Sequence, residues 1–182
     1  MEKFTLERSE AVLLIIDIQE KLVAAMKYGD QMINNTKVLV EVANTFEMPT
    51  VVTEQYPKGI GRTVPELATS IDENMFFEKL SFNGCTVDVT AAIKKTGRKK
   101  VIVTGTETHV CVLQTVRDLL NLGYEVFVVK DAVCSRSTEN YKNGLKFMAE
   151  MGAVITTTEI VFFDLLKQSG TPEFKQLSKL IK

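Results

Sequence analysis

Short apolar runs alternate along the chain with longer stretches of helical spacing. The first run, Ala11–Ile16 (AVLLII), is continuous rather than alternating, the pattern of a strand buried on both faces. Helical spacing follows over residues 30–46, with Met32, Val38, Leu39, Val42 and Phe46 on or near one face. Further strands are predicted at 49–53 (PTVVT), 75–77, 100–104 (KVIVT), 125–129 (EVFVV) and 153–156, and residues 54–66 read as a long Gly/Pro loop. Residues 86–96 read as a helix closed by Gly97, 108–122 as one closed by Gly123, and 137–151 as one stopped by Gly152. Two short helices finish the chain. This alternation predicts an α/β fold, a Rossmann-like three-layer sandwich in which a parallel sheet of about six strands carries helices on both faces. Sites in such sheets form at the carboxyl ends of the strands. Asp17, Lys79 and the 105–111 turn all lie just past predicted strand ends, so three candidate polar elements converge on one edge.

The length of 182 residues suits one domain spanning the chain, and no internal repeat or long linker divides it. Hydrophobic residues make up 45% and charged residues 25%, ordinary for a soluble globular protein. A net charge of -1 gives no electrostatic footprint for nucleic acid. The basic run Lys94, Lys95, Arg98, Lys99 and Lys100 precedes an apolar strand and reads as a solvated helix end and turn. No stretch approaches the ~18 apolar residues of a membrane span, and the opening MEKFTLERSE lacks a signal-peptide core. Cys85, Cys111 and Cys134 are odd in number and widely spaced, giving neither a disulfide framework nor a CxxC pair. A reducing cytoplasm is the simplest setting.

Asp17 follows a run of aliphatic residues, where a carboxylate needs a partner; it reads equally as a helix N-cap for the EKLVAAM stretch. Lys79, in FFEKLSF, reads as a snorkelling surface lysine or as an ammonium favouring nearby anions. Cys111, in VIVTGTETHVCVLQTVRDLL, sits where a strand turns into a helix. Helix N-termini favour anions, so a lowered thiol pKa is expected there; the alternative is an inert core cysteine. His109 is the only histidine, and residues two apart on a helix do not face each other, so it reads as an outer-layer or interface residue. One histidine without clustered ligands supplies no metal site. Cys85 and Cys134 read as structural.

These motifs resemble the isochorismatase-like cysteine hydrolases. LLIIDIQEKL resembles the family's opening strand with its D-x-Q signature, FFEKLSF the segment with the family lysine, and TGTETHVCVLQTVRDLL the nucleophile turn G-x-x-T-x-x-C-V. VVTEQYPKGIGRTVPEL and DAVCSRS resemble the subgroup that includes mitochondrial-associated ribonuclease-type members, and the resemblance covers nearly the whole chain. It implies Asp17 as the base, Lys79 as stabiliser of the thiolate and Cys111 as nucleophile. It also implies a cis peptide at Thr106–Glu107 and an oxyanion hole from the backbone N–H groups of Glu107 and Cys111. Gln19, Tyr56 and Phe82 are expected to line the substrate pocket. The nicotinamidase branch binds zinc through an Asp and two His beyond strand two; TEQYPKGIG has no histidine, so no metal and no cofactor are expected.

The expected activity is metal-independent hydrolysis of a small amide- or imide-type C–N substrate through a thioester at Cys111. Alternatives are hydrolysis of isochorismate-like vinyl ethers, an oligomeric interaction protein with a vestigial triad, and a nuclease. The expected partners are a small-molecule substrate and further copies of the chain, with no nucleic acid and no membrane. Self-association is expected because family members associate and because Val110, Leu113 and Val116 read as apolar positions beyond one core face.

Overall fold

The computed structural model describes residues 2–181. Its order is β1 (Ala11–Ile16), α1 (Glu20–Ala24), α2 (Gly29–Thr45), β2 (Thr50–Gln55), α3 (Pro57–Ile60), α4 (Pro65–Ala68), β3 (Phe76–Lys79), α5 (Val87–Lys95) and β4 (Lys100–Thr106). A π-helical turn, Thr108–Val112, then leads into α6 (Leu113–Asn121), followed by β5 (Glu125–Cys134), α7 (Thr138–Glu150), β6 (Val154–Thr156), α8 (Thr158–Leu166) and α9 (Pro172–Leu177). The six strands form one sheet in the order β3-β2-β1-β4-β5-β6, and every neighbouring pair is parallel. The order reverses between β1 and β4, the position where open α/β sheets hold their ligands.

Alternate residues of the strands feed two separate cores. Leu13, Ile15, Val52, Ile102, Phe127 and Val129 face α2 and α8, including Met32, Leu39, Val161 and Phe162. Val12, Leu14, Ile16, Val51, Val101, Val103, Val126 and Val128 face α5, α6 and α7, including Val89, Ile93, Val116, Leu119 and Met148. Both faces of β1 are therefore covered, which is why its sequence shows no polar alternation. The helices start where side chains cap them: the hydroxyl of Thr86 accepts the Val89 N–H, and that of Ser137 the Asn140 N–H.

Several boundaries differ from the sequence pattern. β2 runs on to Gln55, because its polar end is satisfied: Glu54 accepts from Thr63 N–H at 2.7 Å, from Thr63 Oγ1 at 2.8 Å and from Arg62 at 2.7 Å. The 54–66 stretch is thus the end of a strand followed by the short helices α3 and α4 rather than an open loop. β5 continues past the half-buried Asp131 to Cys134, pairing Val133 with Gly105 and Cys134 with Thr106 after a register shift in β4. The 108–122 helix opens as a π turn. Val116 is fully buried, and Val110 and Leu113 pack against the same core, so these three residues do not form the spare apolar face expected of them.

The basic run lies at the amino edge of the sheet, away from the site. Arg98 donates to the carbonyls of Arg8 and Ala11, and the buried Lys100 ammonium pairs with Glu10 at 2.9 Å. No helix among the described residues is long and apolar enough to cross a membrane.

Candidate active site

β1 ends at Asp17, whose backbone turns into the left-handed region at φ 52° while its N–H still donates to the Thr53 carbonyl. The carboxylate is fully buried. Oδ1 accepts from the Thr53 hydroxyl at 2.7 Å and Oδ2 from Lys79 Nζ at 2.6 Å. The N-cap of α1 is Gln19, so Asp17 is not a helix cap. Lys79, at the end of β3, is equally buried and does not snorkel. Its ammonium donates to Asp17, to Gln55 Oε1 at 3.0 Å, and to the carbonyls of Ser81 and Phe82 at 3.1 and 3.2 Å.

Cys111 completes the cluster from the π turn. Its Sγ lies 3.6 Å from Gln55 Oε1, near enough to Asp17 and to the Glu107 backbone N–H for both to act on its charge. Val110 and Val112 both bond to the Glu107 carbonyl, so the register of the turn passes over Cys111. The Thr106–Glu107 peptide is cis. Gly105 precedes it at φ 129°, and a Cβ there would lie 2.0 Å from the Ile16 carbonyl oxygen, so β4 can approach β1 this closely only with glycine. Thr115, one turn beyond Cys111, donates to the Cys111 carbonyl at 2.6 Å and accepts from Gly84 N–H at 2.7 Å. This ties the loop after β3 to the turn that carries Cys111.

The structure brings Asp17, Lys79 and Cys111 together and adds Thr53, Gln55 and Thr115, which the sequence reading missed. Thr53 and Gln55 are two apart in β2 and therefore share a face. Polar residues closing a buried strand were the available signal. Gln19 is a correction. It is fully buried, and its amide is spent on the backbone: Nε2 donates to the carbonyls of Gln55 and Gly61, and Oε1 accepts the Gln55 N–H. It fastens the chain after β1 to the end of β2 and to Gly61, and it does not line the cavity beside Tyr56. Tyr56 and Phe82 are half-exposed at the rim, with Leu80 between them in sequence. A cavity of about 390 Å³ opens beside Tyr56, lined by Tyr56, Pro57, Lys58, Glu78, Lys79 and Leu80 but not by Phe82. His109 turns away from the thiol, with Nδ1 3.0 Å from Ser135 Oγ. Among the described residues no group of three or more His, Cys, Asp and Glu is placed to hold a metal ion.

The electrostatics correct the expectation of a low-pKa thiol. Burial, and next the negative charge of Asp17, push the Cys111 thiol up to about 12; Lys79 and the Glu107 N–H oppose them without prevailing. Burial likewise raises the Asp17 carboxyl above its ordinary value against the pull of Lys79 and Thr53. The π turn gives Cys111 no exposed helix end to act as a thiolate trap. At rest the thiol is therefore neutral, beside an Asp17 carboxyl whose pKa burial has raised. Iodoacetamide labelling of Cys111, followed by mass spectrometry of its peptide, is expected to keep accelerating as pH rises past the free-thiol value of about 8.5. Asp17→Asn, which deletes the opposing anion, is expected to shift that profile to lower pH. A plateau below pH 8 in the unmodified protein would contradict this assignment.

Residues 11–160 match the family model described as the Isochorismatase domain. A Dictyostelium discoideum relative named isochorismatase family protein 1A is 36% identical over 180 residues, covering 96% of this chain and 87% of that protein. Among solved structures, a MAR1 ribonuclease from Caenorhabditis elegans is 40% identical with a TM-score of 0.91, covering 97% of this chain and 92% of that one. The YcaC product of Escherichia coli, described as an octameric hydrolase of unknown specificity, is 26% identical with a TM-score of 0.91, covering 97% and 90%.

Proposed function

Because the chain belongs to the isochorismatase family, we propose that it is a metal-independent cysteine hydrolase that cleaves a small amide- or imide-type C–N bond through a thioester at Cys111. The observation that supports this most directly is the chain of contacts through Gln55 Oε1, which lies 3.6 Å from the Cys111 thiol and 3.0 Å from the Lys79 ammonium, itself 2.6 Å from Asp17 Oδ2. As sulfur attacks the carbonyl carbon, the thiol proton passes to Asp17, so no free thiolate has to exist at neutral pH. The oxyanion forms against the backbone N–H groups of Glu107 and Cys111. Collapse breaks the C–N bond, and the departing nitrogen takes the proton from Asp17. Water then attacks the thioester and gives a proton to Asp17, which returns it to sulfur as the acid leaves. Gln55 and Lys79 hold the charges in register throughout.

One observation favours a second reading, protonation of an isochorismate-like vinyl ether: the raised carboxyl of Asp17 is a plausible acid in its own right. A nuclease reading draws no support from the net charge of -1 or from a basic run placed at the opposite edge of the sheet. YcaC's octamer and the exposed Tyr56, Leu80 and Phe82 around the mouth support a homo-oligomer.

The test is a screen of small amides, imides and isochorismate, with intact-mass detection of an acyl adduct on Cys111. Hydrolysis is expected to persist in excess chelator. Turnover of amides without any adduct on acid quench, or activity lost to chelator and restored by zinc, would overturn the reading.

A further inference from the structure

The DAVCSRS motif lies outside the cluster of Asp17, Lys79 and Cys111, yet its residues contact the nucleophile turn at successive positions. The Thr106 hydroxyl donates to the Cys134 carbonyl at 3.3 Å, and His109 Nδ1 meets Ser135 Oγ at 3.0 Å. Between these, Glu107 is clamped. One carboxylate oxygen accepts the Arg136 backbone N–H at 2.9 Å, Nε lies 3.1 and 3.2 Å from the two oxygens, and Nη2 lies 3.1 Å from Oε1. Burial works to raise the Glu107 carboxyl, but Arg136 holds it below the usual carboxylate range.

The Glu107 side chain is nine-tenths buried while that of Arg136 is 65% exposed. An ion pair so open to water adds little to stability, but a guanidinium fork fixes direction as a lysine cannot. The Glu107 carbonyl also accepts the N–H groups of Val110 and Val112, which flank Cys111, so Glu107 anchors the turn that carries the thiol, and its own N–H is close enough to lower the thiol pKa. Rotation of an unclamped Glu107 would carry that N–H with it.

We propose that Arg136 is a positioning residue: by clamping the Glu107 carboxylate it aims the Glu107 backbone N–H at Cys111 and at the site where the oxyanion forms. The inference rests on the reading of Cys111 as the nucleophile. It deepens that reading by extending the machinery to the turn between β5 and α7.

The test is the rate of Cys111 alkylation by iodoacetamide across pH in Arg136→Ala, Arg136→Lys, Glu107→Ala and the double alanine variant, with melting temperatures measured in parallel. Asp17 and Lys79, the charged groups that face the thiol, are unchanged in all of them. Arg136→Ala and Glu107→Ala are each expected to slow labelling at pH 8 by about three- to tenfold, the effect of weakening one hydrogen bond to an anion. The double variant should be no slower than either, Arg136→Lys should recover part of the rate, and melting should move by only a few degrees. A purely electrostatic role for Arg136 instead predicts that Glu107→Ala labels as fast as the unmodified protein or faster. That result, an unchanged rate in Arg136→Ala, additive effects, or failure of Arg136→Ala to fold would each overturn the proposal. Alkylation needs no substrate, so the two readings can fail separately. Amide turnover unaffected by Arg136→Ala refutes the brace alone; a brace effect in a protein that turns over no amide refutes the hydrolase alone.

Discussion

Cys111→Ala is expected to lower amide turnover by at least about a thousandfold, since removing the nucleophile of a covalent mechanism leaves only binding and oxyanion stabilisation. The fold should survive. The sulfur packs against the core of Val112 and Val116 in a site that is almost closed, so its loss leaves a small void rather than an unpaired charge. Asp17→Asn should cost about as much as Cys111→Ala, and the double variant little more, because residues that act as a unit are not additive. An asparagine in the same place still accepts from Thr53 but cannot carry the proton from sulfur to the leaving nitrogen. The pair of variants also separates the two chemistries. Protonation of a vinyl ether needs Asp17 and not the thiol, so a protein that keeps its activity in Cys111→Ala and loses it in Asp17→Asn is a vinyl-ether hydrolase. Steady-state rates on the best substrate of the screen, for both single variants and the double, decide this.

How much of this was legible beforehand varied with the physics of each element. β1 and the 126–129 run of β5 declared themselves because each is apolar throughout and covered on both faces. Alternation with helices gave a parallel sheet, and with it the convergence of Asp17, Lys79 and the 105–111 turn on one edge, but not the order of the strands. Strand ends were harder. β2 and β5 extend through polar residues whose partners lie elsewhere in the chain, Glu54 with Arg62 and Thr63, and Asp131 with Thr158. Periodicity cannot see a polar group satisfied at long range.

The site shows the same limit. Asp17 read as a cap or a catalytic group; Gln19 holds the cap position, and Asp17 instead pairs with the buried Lys79. Gln19 looked like a pocket residue because of its place in D-x-Q, whereas its amide is used up by backbone groups of the 55–61 segment. Gln55 carried no motif, yet its Oε1 is shared by the ammonium and the thiol. The thiol's acidity was misread because helix position was visible and burial was not. A π turn in place of an α-helical start, nine-tenths burial and a carboxylate alongside outweigh any benefit from the helix end.

Lys79→Met is expected to be the most destabilising single change at the site, at about 3–5 kcal/mol near neutral pH, the cost of stripping one partner from a buried ion pair. Methionine fits the aliphatic path of the lysine, so the loss reports on charge rather than volume. It leaves Asp17 with the Thr53 hydroxyl and the neighbouring Cys111 thiol, and Gln55 Oε1 and the carbonyls of Ser81 and Phe82 lose their shared donor. The pH dependence has a definite sign. Asp17 is already raised by burial, and without the opposing ammonium its folded-state pKa rises further above the unfolded value near 3.8. A group shifted upward in this way contributes its stability below the unfolded pKa and loses it as pH climbs through the folded one. Lys79→Met should therefore be closest to the unmodified protein near pH 4 and fall behind it steadily toward pH 8. Replacing the whole pair, Asp17→Asn with Lys79→Met, should recover much of the loss at pH 8, because a neutral amide is far cheaper to bury than a lone carboxylate. Urea denaturation of the unmodified protein and the two variants at pH 5 and pH 8 measures all of this. A Lys79→Met variant equally stable at both pH values, or a double variant less stable than Lys79→Met alone at pH 8, would mean that the ammonium is not what keeps Asp17 charged.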